Sequence, residues 1–172
     1  MPKGEQRQDL INCLREATGG SGELNARILC ATIAPDGAQV RQSRISGAWC
    51  VYFGSDARSG RPRMWLPSVP IPTPSGSIDD AIVLVGEALP DCQVHVSIST
   101  GGRLRANSSL AVTTAAAWAH LTRPEEDEAG LGYVSHTSLQ TAASAPLAIM
   151  LALLEGLTSL DKTDPKTTGV SF

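Results

Sequence analysis

Residues 144–157, SAPLAIMLALLEGL, hold a single charged side chain, Glu155. A helix this poor in polar groups is stable in water only when most of its circumference is covered, because a surface helix keeps a polar face opposite its apolar stripe. Leu147, Met150, Leu151, Leu154 and Leu157 fall on one face at helical spacing, and Ile149 and Leu153 widen that face beyond a stripe. Ser144 stands where a cap is needed, and Pro146 lies in the first turn, where its missing N–H has no partner to lose. A membrane span needs about 20 predominantly apolar residues, and Ser144, Pro146 and Glu155 bracket a shorter run. The segment is therefore expected to be a buried core helix, with no membrane as partner.

A chain of 172 residues with 42% hydrophobic content fits one domain with its own core. The net charge of -3 argues against a general phosphate-backbone binder, so nucleic acid is not the expected partner. The charge is uneven, with arginines frequent up to Arg63 and an acidic cluster at Glu125, Glu126, Asp127 and Glu128. Cys13, Cys30, Cys50 and Cys92 are scattered without a C-x-x-C pair or histidines at zinc spacing. They read as reduced core cysteines, and neither a metal nor a cofactor is expected. The first residues lead into charge without an apolar stretch, so no secretion signal is read and a cytoplasmic location is expected.

Along the chain, Leu10, Ile11, Leu14 and Ala17 mark a short amphipathic helix stopped at Gly19-Gly20, and Leu24, Ile28, Leu29 and Ile33 mark a second that ends before Pro35-Asp36-Gly37. Residues 48–53 alternate as a strand, and Met64-Trp65-Leu66 suggests its hairpin partner across a basic loop. Pro67, Pro70, Pro72 and Pro74 then impose an extended stretch. Ser77 and Asp80 resemble a capping box opening a helix whose inward face is Ile78, Ala81, Ile82, Val85 and Leu89. Cys92, Val94, Val96 and Ile98 alternate with Gln93, His95, Ser97 and Ser99 as a half-buried strand. Residues 104–113 fit neither period cleanly, residues 114–121 read as a strand, and residues 125–128 read as an acidic loop.

The segment SIDDAIVLV at 77–85, the strands after it, Trp118 and the Ala-Pro-Leu-Ala-Ile helix resemble the phage ABA sandwich domain. Leu10-Ile11, Leu14, Glu16-Ala17-Thr18-Gly19, Glu23-Leu24-Asn25 and Ile28 resemble the helical opening of small phage and prophage proteins that carry it. Asn25 stands where that opening is expected to hold an aspartate, which leaves the polar role of the position open. The resemblance implies an α+β fold, a helix–sheet–helix sandwich with a mainly antiparallel sheet and an N-terminal helical pair. The expected divisions are the helical pair at 1–36, a β-hairpin and Pro-rich linker at 37–74, the ABA-sandwich-like core at 75–160 and a flexible tail at 161–172, with 1–160 forming one compact unit. It also implies a phage or prophage accessory protein and brings no catalytic motif.

Function must therefore be sought in patches. Arg58, Arg61 and Arg63, with Trp65 and Trp49 in the neighbouring strands, combine guanidinium forks with aromatic faces, the groups that dominate binding hot spots; the plain alternative is a hairpin whose tryptophans are core. The acidic cluster at Glu125, Glu126, Asp127 and Glu128 is a secondary patch, a phosphate mimic or a solvated loop. His95, His120 and His136 have no ligand-spaced partner in their own elements, Ser55, Ser59, Ser97 and Ser108 lack a nucleophile elbow, and Asp79 and Asp80 sit where a helix start favours carboxylates. The expectation is a non-enzymatic binding protein that meets a host protein or a nucleotide-like small ligand, in the manner of an inhibitor of a host antiviral component such as a CRISPR effector. The alternatives are a small hydrolase of a nucleotide signal using His95 or His120, and a phage structural or morphogenetic protein; assembly as a homodimer is open.

Overall fold

The computed structural model describes residues 3–56, 60–99, 102–106, 109–113, 116–127, 130–135 and 137–163. The N-terminal pair forms α1 (Lys3–Glu16) and α2 (Gly22–Thr32). Ser21 caps α2 by accepting the Leu24 amide at 3.2 Å. Three strands follow, β1 (Gln39–Gln42), β2 (Trp49–Ser55) and β3 (Pro62–Met64), in an antiparallel sheet of that order. Helix α3 (Ile78–Ala88) precedes β4 (Gln93–Ser99), β5 (Gly102–Ala106), β6 (Ser109–Thr113), β7 (Ala116–Asp127), β8 (Gly130–Ser135) and β9 (Gln140–Ala142), and α4 (Ala145–Thr163) closes the chain. β7 is the centre of the larger sheet, pairing antiparallel with β4, β8 and β9, while β5 and β6 form a separate hairpin.

The fold is α+β with antiparallel sheets and an N-terminal helical pair, as the sequence implies. Its layers are built around α4, in which all ten residues from Ala145 to Leu154 are buried. One side of α4 packs on β7, β9 and β4; other sides meet α1, α3 and α2. Ala117, Ala119 and Leu121 of β7 supply small, flat contacts to the same core as Leu84, Val85, Leu10 and Leu14. A second, smaller core joins Ala26, Cys30 and Ala34 to Ala38 and Val51, and so fastens the small sheet to α2. Among the described residues no helix is long and apolar enough to cross a membrane.

Two polar clamps hold the helices in place. Arg7, buried on α1, donates from Nε to the Ala31 carbonyl at 2.9 Å, from Nη1 to the Leu157 carbonyl at 3.4 Å, and to the Asp161 carboxylate. One guanidinium thus joins α1, the end of α2 and the last turns of α4; Asp161, read from sequence as the start of a tail, is helical. Asn25 has a definite polar role. Its Oδ1 accepts from the Ser75 amide at 2.9 Å and the Ser75 hydroxyl at 2.7 Å, in a buried site that joins α2 to the approach of α3. An aspartate would accept the same two bonds but bring a charge into a buried position. Gly20 is needed beside it, since a Cβ there would stand 2.7 Å from the Ser75 carbonyl oxygen.

Several expectations need correction. Ile78 and Ile82 are exposed, because α3 meets the core through the narrow stripe Ala81, Leu84, Val85 and Leu89, and Leu84 takes the inward place. The box at Ser77 is half formed: its hydroxyl accepts the Asp80 amide at 3.3 Å, but the Asp80 carboxylate turns to the amide and hydroxyl of Thr73, at 2.9 and 2.8 Å. Ile98 stays exposed at the end of β4. Residues 104–113 fall in β5 and β6, and β1 had no clear signal. Of the cysteines only Cys30 is fully buried; Cys13, Cys50 and Cys92 are half-buried. Ile71, inside the Pro-rich stretch, is a member of the main core.

Replacing Leu153 with alanine is expected to cost about 3 kcal/mol, the usual penalty for a cavity at a site that cannot collapse, read as a lower urea midpoint with unchanged slope. Asn25→Ala removes the acceptor of two buried bonds and is expected to cost about 1–3 kcal/mol; a midpoint equal to that of the unaltered chain would contradict the clamp.

Candidate functional site

The Tyr52↔Met64 pairing and the bond from the Trp65 amide to the Val51 carbonyl, 2.8 Å, set the register at the edge of the small sheet. By strand alternation Trp49, Val51 and Phe53 share the face turned to α2, and Arg63 and Trp65 fall on that same face. Beyond Trp65 the chain leaves the ladder, and its prolines line one groove with Ala26 and Leu29 of α2. The result is an apolar groove of about 370 Å³ walled by Trp49, Met64, Trp65, Leu66, the prolines at 67, 70 and 72, and Leu29 of α2.

Sequence logic places the arginines and tryptophans in one hairpin. The structure brings Trp49 and Trp65 together in one groove at the open end of the hairpin, with Trp65 beside Val51. Arg63 is exposed on β3, one residue from the groove wall, and Arg61 is exposed at the hairpin, where its carbonyl accepts the Asp56 amide at 2.8 Å. Arg58 lies outside the described residues. The tryptophans differ in cover: Trp65 packs partly against the second core, and Trp49 keeps 37% of its surface in water. Met64 at 55% and Leu66 at 70% are more open still, and Ile45, Phe53 and Val69 of the same segment are exposed too. Large apolar groups left in water side by side mark interaction surfaces more often than scattered single residues do.

Electrostatically the segment stands apart. Residues 37–74 hold five arginines, at 41, 44, 58, 61 and 63, against one acid, Asp56, so a net +4 sits within a chain of net -3. The signal is the local sum; among the described residues Arg41, Arg44, Arg61 and Arg63 are exposed.

The other candidates lie elsewhere. The acidic patch is not a loop: Glu125, Glu126 and Asp127 continue strand β7, opposite Gly132, Leu131 and Gly130 of β8, and Glu128 is outside the described residues. β7 extends this far because β8 pairs with it after β4 has ended at Thr122, and Pro124 is tolerated where one edge has no described neighbour. His95 and His120, in separate elements, are directly opposed on β4 and β7 and stack with centroids 4.9 Å apart and planes 11° from parallel. His95 Nε2 is 2.9 Å from the Thr122 hydroxyl. His136, Ser59 and Ser108 are outside the described residues. Among the described residues no three His, Cys, Asp or Glu side chains are grouped to hold a metal ion.

Burial pushes the Cys30 thiol above its ordinary range, partly offset by Lys3, and burial with the Asp91 carboxylate does the same for Cys92 against an opposing pull from Arg123. Compared with known protein families, curated proteins and solved structures, the chain finds no match.

With its neutral form favoured, Cys30 holds less thiolate near neutral pH than a free thiol does. Alkylation of Cys30 in the folded chain, followed by peptide mass mapping, is expected to be slow near neutrality and to accelerate only as pH rises past the ordinary thiol range. Rapid modification at neutral pH would contradict the seal between α2 and the small sheet.

Proposed function

We propose that this chain is a non-enzymatic binding protein that works through the groove beside the small sheet. The observation that carries the reading is the convergence of Trp49 and Trp65 on one apolar groove, with Met64 and Leu66 held in water. Exposing such side chains forgoes burial worth roughly 1.5–3 kcal/mol each, a cost that a partner's surface would recover. Met64 and Leu66 belong to neither of the two cores.

The resemblance to phage ABA sandwich proteins narrows the proposal to a phage or prophage accessory protein that acts in the cytoplasm of a bacterial host, covering a component of an antiviral defence such as a CRISPR effector. Sequestration of a nucleotide signal is the less favoured form, since the groove wall is made of apolar side chains and prolines and offers little to bind phosphates or base edges. A second reading, a small hydrolase of such a signal, is favoured by the His95–His120 stack, two imidazoles brought together on an accessible sheet face.

Leu66→Asp changes an exposed groove residue, so it leaves the core intact. In a host with an active defence, the unaltered chain is expected to protect an infecting phage and to co-purify with a defence component, and folded Leu66→Asp is expected to lose both. Protection that survives Leu66→Asp but vanishes in His95→Ala or His120→Ala, with turnover of a nucleotide signal, would replace this reading with the hydrolase.

A further inference from the structure

Resting on the groove as the working surface, we infer that its occupant is an extended acidic segment of a partner protein that inserts apolar side chains between Trp49 and Leu66. Three observations converge on that chemistry. The lining, from Leu29 through Trp49, Met64, Trp65 and Leu66 to the prolines, is apolar, so affinity must come from apolar anchors in the occupant. The proline wall lacks amide donors, so the floor gives phosphate and base edges no backbone partners there, and an occupant that fills it with apolar side chains is favoured over a nucleotide held by the arginines alone. Beside this apolar floor stand basic side chains. Arg44, in the turn that leads into Trp49, and Arg63, on β3, are both exposed. Arg63 shares the strand face of Trp65, one residue from Met64 in the groove wall. A neutral apolar peptide would leave this field uncompensated, and a basic one would be repelled; aspartate or glutamate beside the anchors answers it and steers the encounter.

The groove is also too small for a folded face. At about 370 Å³ it admits a few side chains, and it lies at the open edge of the sheet next to the three-residue strand β3. A chain segment laid along that edge reaches both the groove and Arg63 of β3, whereas a helix-sized object needs a wider trough.

The test selects random peptides displayed on phage particles against the immobilised full chain, then titrates synthetic copies of the winners by fluorescence anisotropy. Expected are peptides with aspartate or glutamate next to leucine, phenylalanine or tryptophan anchors. Their binding should weaken as salt rises, fall by about tenfold or more in Leu66→Asp and Met64→Asp, and weaken in Arg63→Glu, with circular dichroism unchanged throughout. Winners that are neutral or basic and insensitive to salt, yet lost in Leu66→Asp, would overturn the inference while leaving the groove as a binding site. Winners indifferent to Leu66→Asp and Met64→Asp alike would overturn both. An oligothymidine that binds more tightly than any peptide, and is lost in the same variants, would overturn it in favour of nucleic acid.

Discussion

The burial of α4 on every side is the constraint from which the rest of the structure follows. Ten consecutive covered residues cannot be hidden by one sheet face or one neighbouring helix. They need the sheet centred on β7 below and α1, α2 and α3 around the remaining arc. β7 can lie flat against the helix because the residues it turns inward are Ala117, Ala119 and Leu121. Arg7 completes the arrangement by tying the far end of α4 to α1 and α2 through one guanidinium. That geometry is demanding, because a buried cation is tolerated only when its donors are used.

With α4 and its partners forming the main core, the small sheet is held through fewer groups. Val51, Ala38 and the α2 face of Ala26, Cys30 and Ala34 form its attachment, and this leaves the outer part of the hairpin and the prolines to form the groove. A rigid helical body thus presents a short, basic, aromatic edge. The proposed role separates the two tasks: stability resides in the two cores, and recognition in the apolar side chains of the hairpin that neither core takes up, Met64 and Leu66 foremost.

The legible elements were those whose signals are local. Ser77 caps the helix it precedes, Pro146 lies in the first turn of α4, and the alternation at residues 93–98 is a strand. Trp49, Trp65 and Arg63 were singled out because aromatic and guanidinium groups crowd one short hairpin. What stayed hidden depended on partners far along the chain. Glu125 to Asp127 resemble a solvated loop until β8 pairs with them, and Ile82 resembles a core residue until α3 is seen to meet α4 through Leu84. Arg7 and Asn25 resemble ordinary polar residues of amphipathic helices, since their partners are 24 and 50 residues away in the chain.

The sequence by itself determined that residues 144–157 must be buried, where α3 and α4 begin, and which hairpin concentrates tryptophan and arginine, because hydrophobic period, capping chemistry and composition act within a few residues. Only the tertiary structure decided which faces were covered, that His95 and His120 stack, and that Trp49, Trp65 and the prolines enclose one groove. Those outcomes depend on strand register and helix packing between distant segments, where a shift of one residue turns every side chain to the opposite face.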